Sequence, residues 1–271
     1  MRRMMIGFMA VALIGFVCSL AQAAPEDDIR ATMDTLLQKV VAKDADGLKG
    51  LIDSRGFTSL DATETPLKLA KADEFVKWAV SQDVPADTKI TKIDTEVWGS
   101  VAKTVATVGE DPGVKVFAVL CRGAGKWVLN GVALFDTLAD DSEGARVAKE
   151  IQQAFAKVSD EGDPSAAIDY LNEDAFVTVA SDPAGQSNVF TDSKILRQML
   201  DMVASGGEMT AKFADPVAQG NKAAGFVVTN VDINLGTMAL SMRGVFLVAN
   251  LDGEWVVPLA ALGTAPEKTA K

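Results

Sequence analysis

Gly125-Lys126-Trp127-Val128 is the stretch that decides the fold, because Gly253-Glu254-Trp255-Val256 repeats its pattern late in the chain. Each copy lies between two apolar runs, which predicts a tight turn between two strands with the tryptophan near the start of the second. The interval between the copies is domain-sized, unlike the short repeats of solenoids and propellers. The sequence therefore predicts that a whole domain has been duplicated.

The segments before each turn follow one order in both halves of the chain. In the first half, helical spacing of apolar residues predicts a helix over 25–41, a short helix near Leu48 and a third helix over 69–80, with a short strand over 56–60. The period then changes to two and predicts strands up to Phe135. The second half repeats this order, with helical stripes over 147–158 and 195–203 on either side of a strand over 175–179.

The most informative hairpin joins an apolar run over 223–233 to another over 237–249 through Asn234-Leu235-Gly236. A turn centred on Leu235-Gly236 places polar side chains on one face of the hairpin and apolar side chains on the other. The expected polar-face pairs are Asp232 with Ala239, Asn230 with Ser241 and Val228 with Arg243. The apolar face would carry Val227, Val231 and Ile233 against Met238, Leu240 and Met242.

Three helices with a short inserted strand, followed by an antiparallel meander with a Gly-x-Trp turn, resemble the nuclear-transport-factor-2-like superfamily, which includes SnoaL-like and ketosteroid-isomerase-like domains. The resemblance spans Glu26 to Leu138 and Asp140 to Leu262 and rests on the element order and the two Gly-x-Trp turns. It implies an α+β fold in two copies, each a curved antiparallel sheet packed as a cone on about three helices. It also implies that the two domains pack as an intramolecular pseudo-dimer.

The ends of the chain complete the predicted domain organisation. Met1-Arg2-Arg3, an apolar stretch and Ala21-Gln22-Ala23-Ala24 have the three parts of a secretory signal peptide. We therefore expect a signal peptide over 1–24, a first nuclear-transport-factor-2-like domain over 25–139, a second over 140–263, and a disordered tail over 264–271. The mature protein would be periplasmic or secreted, without stable insertion into a membrane after the signal is removed.

Composition excludes several kinds of chemistry. The chain has no histidine, which removes histidine bases and histidine metal sites, and Cys121 is the only cysteine after the signal, which removes structural zinc. Cys121 lies in a strand-like run, and a small packed residue is the favoured interpretation over a nucleophile. The formal net charge is -11, and the sequence shows no basic stripe of the kind that nucleic-acid binding needs. We expect no metal, no cofactor and no nucleic-acid partner.

Candidate binding residues come from the polar face of the hairpin and from one tryptophan. Arg243 with Asn230, Asp232 and Ser241 is the polar group most worth inspecting, although such groups more often stabilise a sheet than bind a ligand. Trp98 precedes Gly99 and could lie near a cavity mouth, although a core or interface position is more typical. The ligand-pocket candidates are Trp98, Asn230, Asp232, Met238, Ser241 and Arg243, and no residue is predicted to be catalytic.

Three functions are consistent with this sequence. The favoured one is an exported, soluble, non-enzymatic protein that binds a small apolar ligand or a protein partner. The second is an isomerase, dehydratase or hydrolase that uses Asp, Glu or Arg in a cone pocket, and it requires an acid with a raised pKa in apolar surroundings. The third is a structural or interaction module of an envelope assembly, which an exposed apolar sheet surface would favour.

Overall fold

Two six-stranded sheets, each with three helices, form the part of the chain that the computed structural model describes. The described residues are 24–110, 112–171, 176–181, 185–205, 209–236 and 238–264. The predicted signal peptide lies outside them apart from Ala24, and so does the predicted tail after Thr264. Among the described residues, no helix combines the length and the apolar character needed to span a membrane.

The first unit begins with a helix whose sequence suits a helix start. Pro25 occupies the first turn, followed by Glu26, Asp27 and Asp28, whose charges favour the positive end of the helix dipole. Asp44 caps the next helix by accepting a hydrogen bond of 2.8 Å from the Gly47 amide. The unit contains α1 (Pro25–Val41), α2 (Ala45–Lys49), β1 (Thr58–Asp61), β2 (Leu69–Ala70), α3 (Ala72–Ser81), β3 (Ile90–Trp98), β4 (Val101–Val108), β5 (Val114–Gly123) and β6 (Lys126–Phe135).

The second unit repeats this order. Ser142 caps its first helix by accepting a hydrogen bond of 3.1 Å from the Ala145 amide, and Gly162 ends that helix in the left-handed conformation. The unit contains α4 (Glu143–Glu161), α5 (Ser165–Ile168), β7 (Val177–Ser181), β8 (Ser187–Phe190), α6 (Ser193–Ala204), β9 (Met209–Gly220), β10 (Ala224–Leu235), β11 (Met238–Leu251) and β12 (Glu254–Thr264).

The strand order is the same in both units, which confirms the predicted α+β fold in two copies. It is β2-β1-β6-β5-β4-β3 in the first sheet and β8-β7-β12-β11-β10-β9 in the second. The last four strands of each unit form the expected antiparallel meander. Each sheet is mixed, however, because its first strand pairs in parallel with its last strand, β1 with β6 and β7 with β12.

Two local predictions differ from the structure. Leu69 was predicted to open the third helix, but it lies in β2, where it pairs with Leu60, and α3 begins at Ala72. The β10–β11 turn is also displaced, because Leu235 pairs with Met238 and Gly236 takes the positive φ of the turn. Every predicted partner in this hairpin is therefore shifted by two residues. The observed pairs are Asp232 with Ser241, Asn230 with Arg243 and Val228 with Val245.

Each sheet is covered by its own helices on one face and contacts the other unit on the opposite face. Alternate residues of a strand point to opposite faces, so one strand serves both layers. In β10, Val227 packs in the cluster that contains the helices of the second unit, whereas Phe226 and Val228 pack in a cluster shared by both sheets. In that shared cluster the rings of Phe117 and Phe226 stack with centroids 4.6 Å apart.

Candidate functional site

A cavity of about 540 Å³ opens in the first unit between β1, β2, α3 and β6. Parallel pairing of β1 with β6 places Ser59 beside Val132 and Asp61 beside Leu134. Ala70 of β2 is the antiparallel partner of Ser59, so it lies on the same face. Val132 and Leu134 pack in the cluster that contains the helices of the first unit, so the cavity lies on the helix-covered side of the first sheet.

Helix α3 supplies the aromatic wall of this cavity. Phe75 is buried and Trp78 is half-buried, and their ring centroids are 5.9 Å apart in a stacked arrangement. Phe57 supports this wall from behind, with its ring centroid 5.1 Å from that of Phe75. Together with Leu69, Val132 and Leu134, the two α3 rings give the cavity an apolar lining. Apolar and aromatic walls of this kind are common in small-molecule sites.

The charged residues of the cavity are mostly acidic. Asp61, Glu64 and Glu74 line it together with one base, Lys68. Asp61 is held by its neighbour, because its Oδ1 accepts hydrogen bonds from the Thr63 amide and hydroxyl at 3.0 and 2.6 Å. Glu74 Oε2 accepts a hydrogen bond of 3.2 Å from the Lys71 amide at the start of α3. Within the described residues, none of these three acids forms an ion pair with a basic side chain.

The residues predicted from the sequence lie outside this cavity, and their role in binding stays a prediction. Trp98 is 1% exposed and belongs to the cluster shared by both sheets. Met238 is 51% exposed at the end of the β10–β11 hairpin. Asp232 and Ser241 are exposed and paired to each other, with 2.7 Å between Ser241 Oγ and Asp232 Oδ1.

Arg243, which is held by Asn230 of its own unit, joins the two units. Arg243 donates to Asn230 Oδ1 over 2.9 Å and to Glu96 Oε2 of the first unit over 2.7 Å. Glu96 also accepts a hydrogen bond of 3.1 Å from the buried Lys103. Burial acts to raise the pKa of Glu96, but the charges and hydrogen bonds of Lys103 and Arg243 outweigh it and lower that pKa. The predicted polar group is thus a contact between the units.

A second polar contact surrounds Asp53, whose side chain is 5% exposed. Its carboxylate accepts hydrogen bonds from Arg55, from the Cys121 thiol at 3.1 Å and from Asn130 at 3.1 Å. Burial opposes ionisation, yet these hydrogen bonds lower the pKa of Asp53 to about 2. Arg55 also donates to the Ser187 carbonyl of the second unit over 2.7 Å.

Cys121 is inert in this setting. Burial and the adjacent Asp53 carboxylate raise the pKa of the Cys121 thiol to about 12, so the nucleophilic thiolate is suppressed. The sequence-based interpretation of Cys121 as a small packed residue therefore agrees with its surroundings.

A second cleft, of about 490 Å³, lies between the units. Asn221 of the second unit lines it and donates hydrogen bonds to the Ala62 carbonyl at 2.8 Å and to Asp136 Oδ1 at 2.9 Å. Thr65 and Pro66 line both this cleft and the first cavity. The loop over 62–68 is therefore a wall common to both, and the second unit holds one end of it.

Sequence reasoning expected a cone pocket but missed the residues that line this cavity, although one signal was present. Trp78 lies beside the predicted apolar stripe of α3 rather than within it, and a half-buried aromatic residue at a stripe edge is suited to a cavity wall. A search of the described residues finds no group of three or more Asp, Glu or Cys side chains arranged to hold a metal ion.

Comparison with known proteins finds similarity of structure only. No protein-family model matches the chain, and no curated protein matches its sequence. Among solved structures, an NTF2-like protein of unknown function from Shewanella baltica is 13% identical, with a TM-score of 0.34, covering 45% of this chain and 94% of its own.

Two further structures bear names of enzymes. A candidate ketosteroid isomerase from Parabacteroides distasonis is 13% identical, with a TM-score of 0.34, covering 47% of this chain and 91% of its own. A candidate scytalone dehydratase from Novosphingobium aromaticivorans is 14% identical, with a TM-score of 0.35, covering 46% of this chain and 94% of its own. The NTF2-like protein and the candidate ketosteroid isomerase carry names that the sequence resemblance predicted. Likeness at this level is not evidence for an activity.

Proposed function

We propose that the chain is an exported binding protein that holds a small apolar molecule in the cavity of its first unit. The cavity lined by Phe75 and Trp78 is the observation that supports this proposal. Its volume of about 540 Å³ falls within the range of roughly 300–1,000 Å³ that is usual for small-molecule sites. Export remains part of the proposal and rests on the signal-like start of the sequence.

The two acids whose pKa is lowered at the contact between the units, Asp53 and Glu96, do not favour the enzymatic alternative. A general acid at neutral pH requires a raised pKa, whereas the pKa values of Asp53 and Glu96 are both lowered. Both carboxylates are also engaged by basic side chains at the contact between the units.

The interaction-module alternative has little support on the described surface. The exposed large apolar residues there come from four separate elements: Val114, Met202, Val217 and Met238. Apolar side chains exposed one at a time are normal on soluble proteins.

Filling the cavity tests the proposed function. Ala70 is half-buried and lines the cavity opposite Ser59, so Ala70→Phe places a ring inside it. We expect Nile red, a neutral apolar fluorophore, to bind the wild type saturably with one site, and Ala70→Phe to weaken binding about tenfold or more, or roughly 1.4 kcal/mol. Fluorescence titration measures both.

The matched control is Ala239→Phe, which adds the same ring at an exposed position of β11. This variant should bind Nile red as the wild type does. Equal affinity in the wild type and Ala70→Phe, with both folded by circular dichroism, would show that the dye does not occupy this cavity.

A further inference from the structure

We propose that the ligand of the first cavity carries a positive charge on an apolar body, as an alkylammonium compound does. This inference rests on the proposed function, because it assigns a chemical class to the same site. The proposed function describes the apolar body of the ligand, and this inference adds that the head group of the ligand is positively charged. Two features of the cavity support it independently, the aromatic wall and the balance of charge among the lining residues.

The aromatic wall suits a cation. Phe75 and Trp78 stack on each other and both line the cavity, and tryptophan is the residue that attracts cations best through the face of its ring. An apolar body gains from burial against the same rings and against Leu69, Val132 and Leu134. One wall thus serves both parts of such a ligand.

The charged residues that line the cavity also favour a positively charged ligand. Asp61, Glu64 and Glu74 outnumber Lys68, and no basic side chain of the described residues is paired with the three acids. The formal net charge of the whole chain, -11, adds a field that attracts cations and repels anions. A fatty acid or an alkyl sulfate would have Lys68 as its one cationic neighbour in the lining and three acids against it.

Three probes with the same alkyl chain separate the charge of the head from the apolar body. Decyltrimethylammonium, decanol and decyl sulfate, each below its micelle-forming concentration, compete with Nile red for the wild type. We expect decyltrimethylammonium to bind tightest, decanol next and decyl sulfate weakest, with about tenfold between the two charged probes. Added salt should weaken binding of the cationic probe, because the attraction between exposed charges decays over a screening length of about 10 Å at 0.1 M salt.

Charge variants assign the effect to the cavity. Glu64→Gln with Glu74→Gln removes two negative charges, and glutamine at position 74 can still accept from the Lys71 amide. We expect decyltrimethylammonium affinity to fall about threefold per charge and decanol affinity to stay the same. Lys68→Gln should act in the opposite direction, and Glu254→Gln, an exposed acid of the second unit, should change nothing.

The outcomes separate this inference from the proposed function. If decyl sulfate binds as tightly as decyltrimethylammonium while all three probes displace Nile red, the cavity binds apolar molecules and the preference for a cation is wrong. If Nile red does not bind the wild type, or binds Ala70→Phe equally, the proposed function fails and this inference fails with it. A cation preference that the double glutamine variant leaves intact would place its source outside the cavity and overturn the assignment.

Discussion

Asp53 is the residue whose ionisation contributes most clearly to stability. Its pKa in the folded protein is about 2, below the ordinary 3.8, so its stabilising contribution is present above about pH 4 and is lost as the pH falls towards 2. That difference corresponds to roughly 2 kcal/mol. We expect Asp53→Asn to lower the free energy of unfolding by about this amount at pH 7, since Arg55 also loses its partner.

Urea unfolding measured from pH 7 to pH 2 tests this assignment. The gap between the wild type and Asp53→Asn should narrow on acidification, because the wild-type carboxylate then becomes protonated. Asp83→Asn is the matched control, since the Asp83 side chain is 98% exposed and should show neither effect. If the difference in unfolding free energy between the wild type and Asp53→Asn stayed constant with pH, the ionisation of Asp53 would not be the source of that stability.

Single residues also show what the sequence could and could not predict about the site. Asn230 and Arg243 were placed on one strand face from alternation alone, and they do pair. Their partner Glu96 lies 147 positions from Arg243, and nothing local specifies that contact. The residues that line the cavity were missed for the same reason, because the cavity depends on the spacing between α3, β1 and β6 rather than on any one of them.

Helix α4 approaches its sheet unusually closely, and glycine permits this. A Cβ added to Gly144 would lie 1.9 Å from the Ala224 carbonyl oxygen, which belongs to the backbone of β10 and cannot rotate away. The Gly144 amide also donates to the Asn221 carbonyl over 2.8 Å. We expect Gly144→Ala to push the first turn of α4 away from the sheet and to lower the free energy of unfolding by about 2–4 kcal/mol.

Gly50→Ala is the control for this substitution. Its Cβ would have Gly47 O as nearest neighbour at an ordinary 3.4 Å, and its backbone has no positive φ, so Gly50→Ala should not lower stability and should raise it by at most about 1 kcal/mol. Urea unfolding of the two variants and the wild type compares them directly. Equal stability of Gly144→Ala and the wild type would mean that α4 does not approach β10 this closely.

The helices and strands were largely predictable, because their periodicity is a local property. The β4 strand (Val101–Val108) lies in the region where the period of two predicted strands, and α3 differs from its predicted range mainly at its start. The β10–β11 register was wrong by two residues because Gly236 was assigned the second position of the turn, whereas it occupies the first. The prediction of which side chains share a face of the hairpin was still correct, since a shift of two residues preserves alternation.

The contact between the two sheets determines how the whole molecule holds together. The shared cluster contains fully buried side chains of both units, including Phe117 of β5 and Leu259 of β12. A Cβ added to Gly263 would lie 2.2 Å from the Trp98 carbonyl oxygen, so the β12 backbone approaches the end of β3 directly. We propose that this contact persists in solution as an intramolecular pseudo-dimer of the two units.

The first unit alone should then expose a face that the second unit normally covers. We expect a fragment of residues 25–139 to self-associate or to be poorly soluble, because Phe117, Val119 and Phe135 would lose their partners. Phe117→Glu should reduce that association, whereas Val114→Glu, at a position on the same strand already 40% exposed in the full chain, should not. Sedimentation velocity distinguishes a monomeric fragment from a self-associated one. A folded, stable monomer of the unsubstituted fragment would contradict the pseudo-dimer, since the face that the second unit covers would then be stable in water.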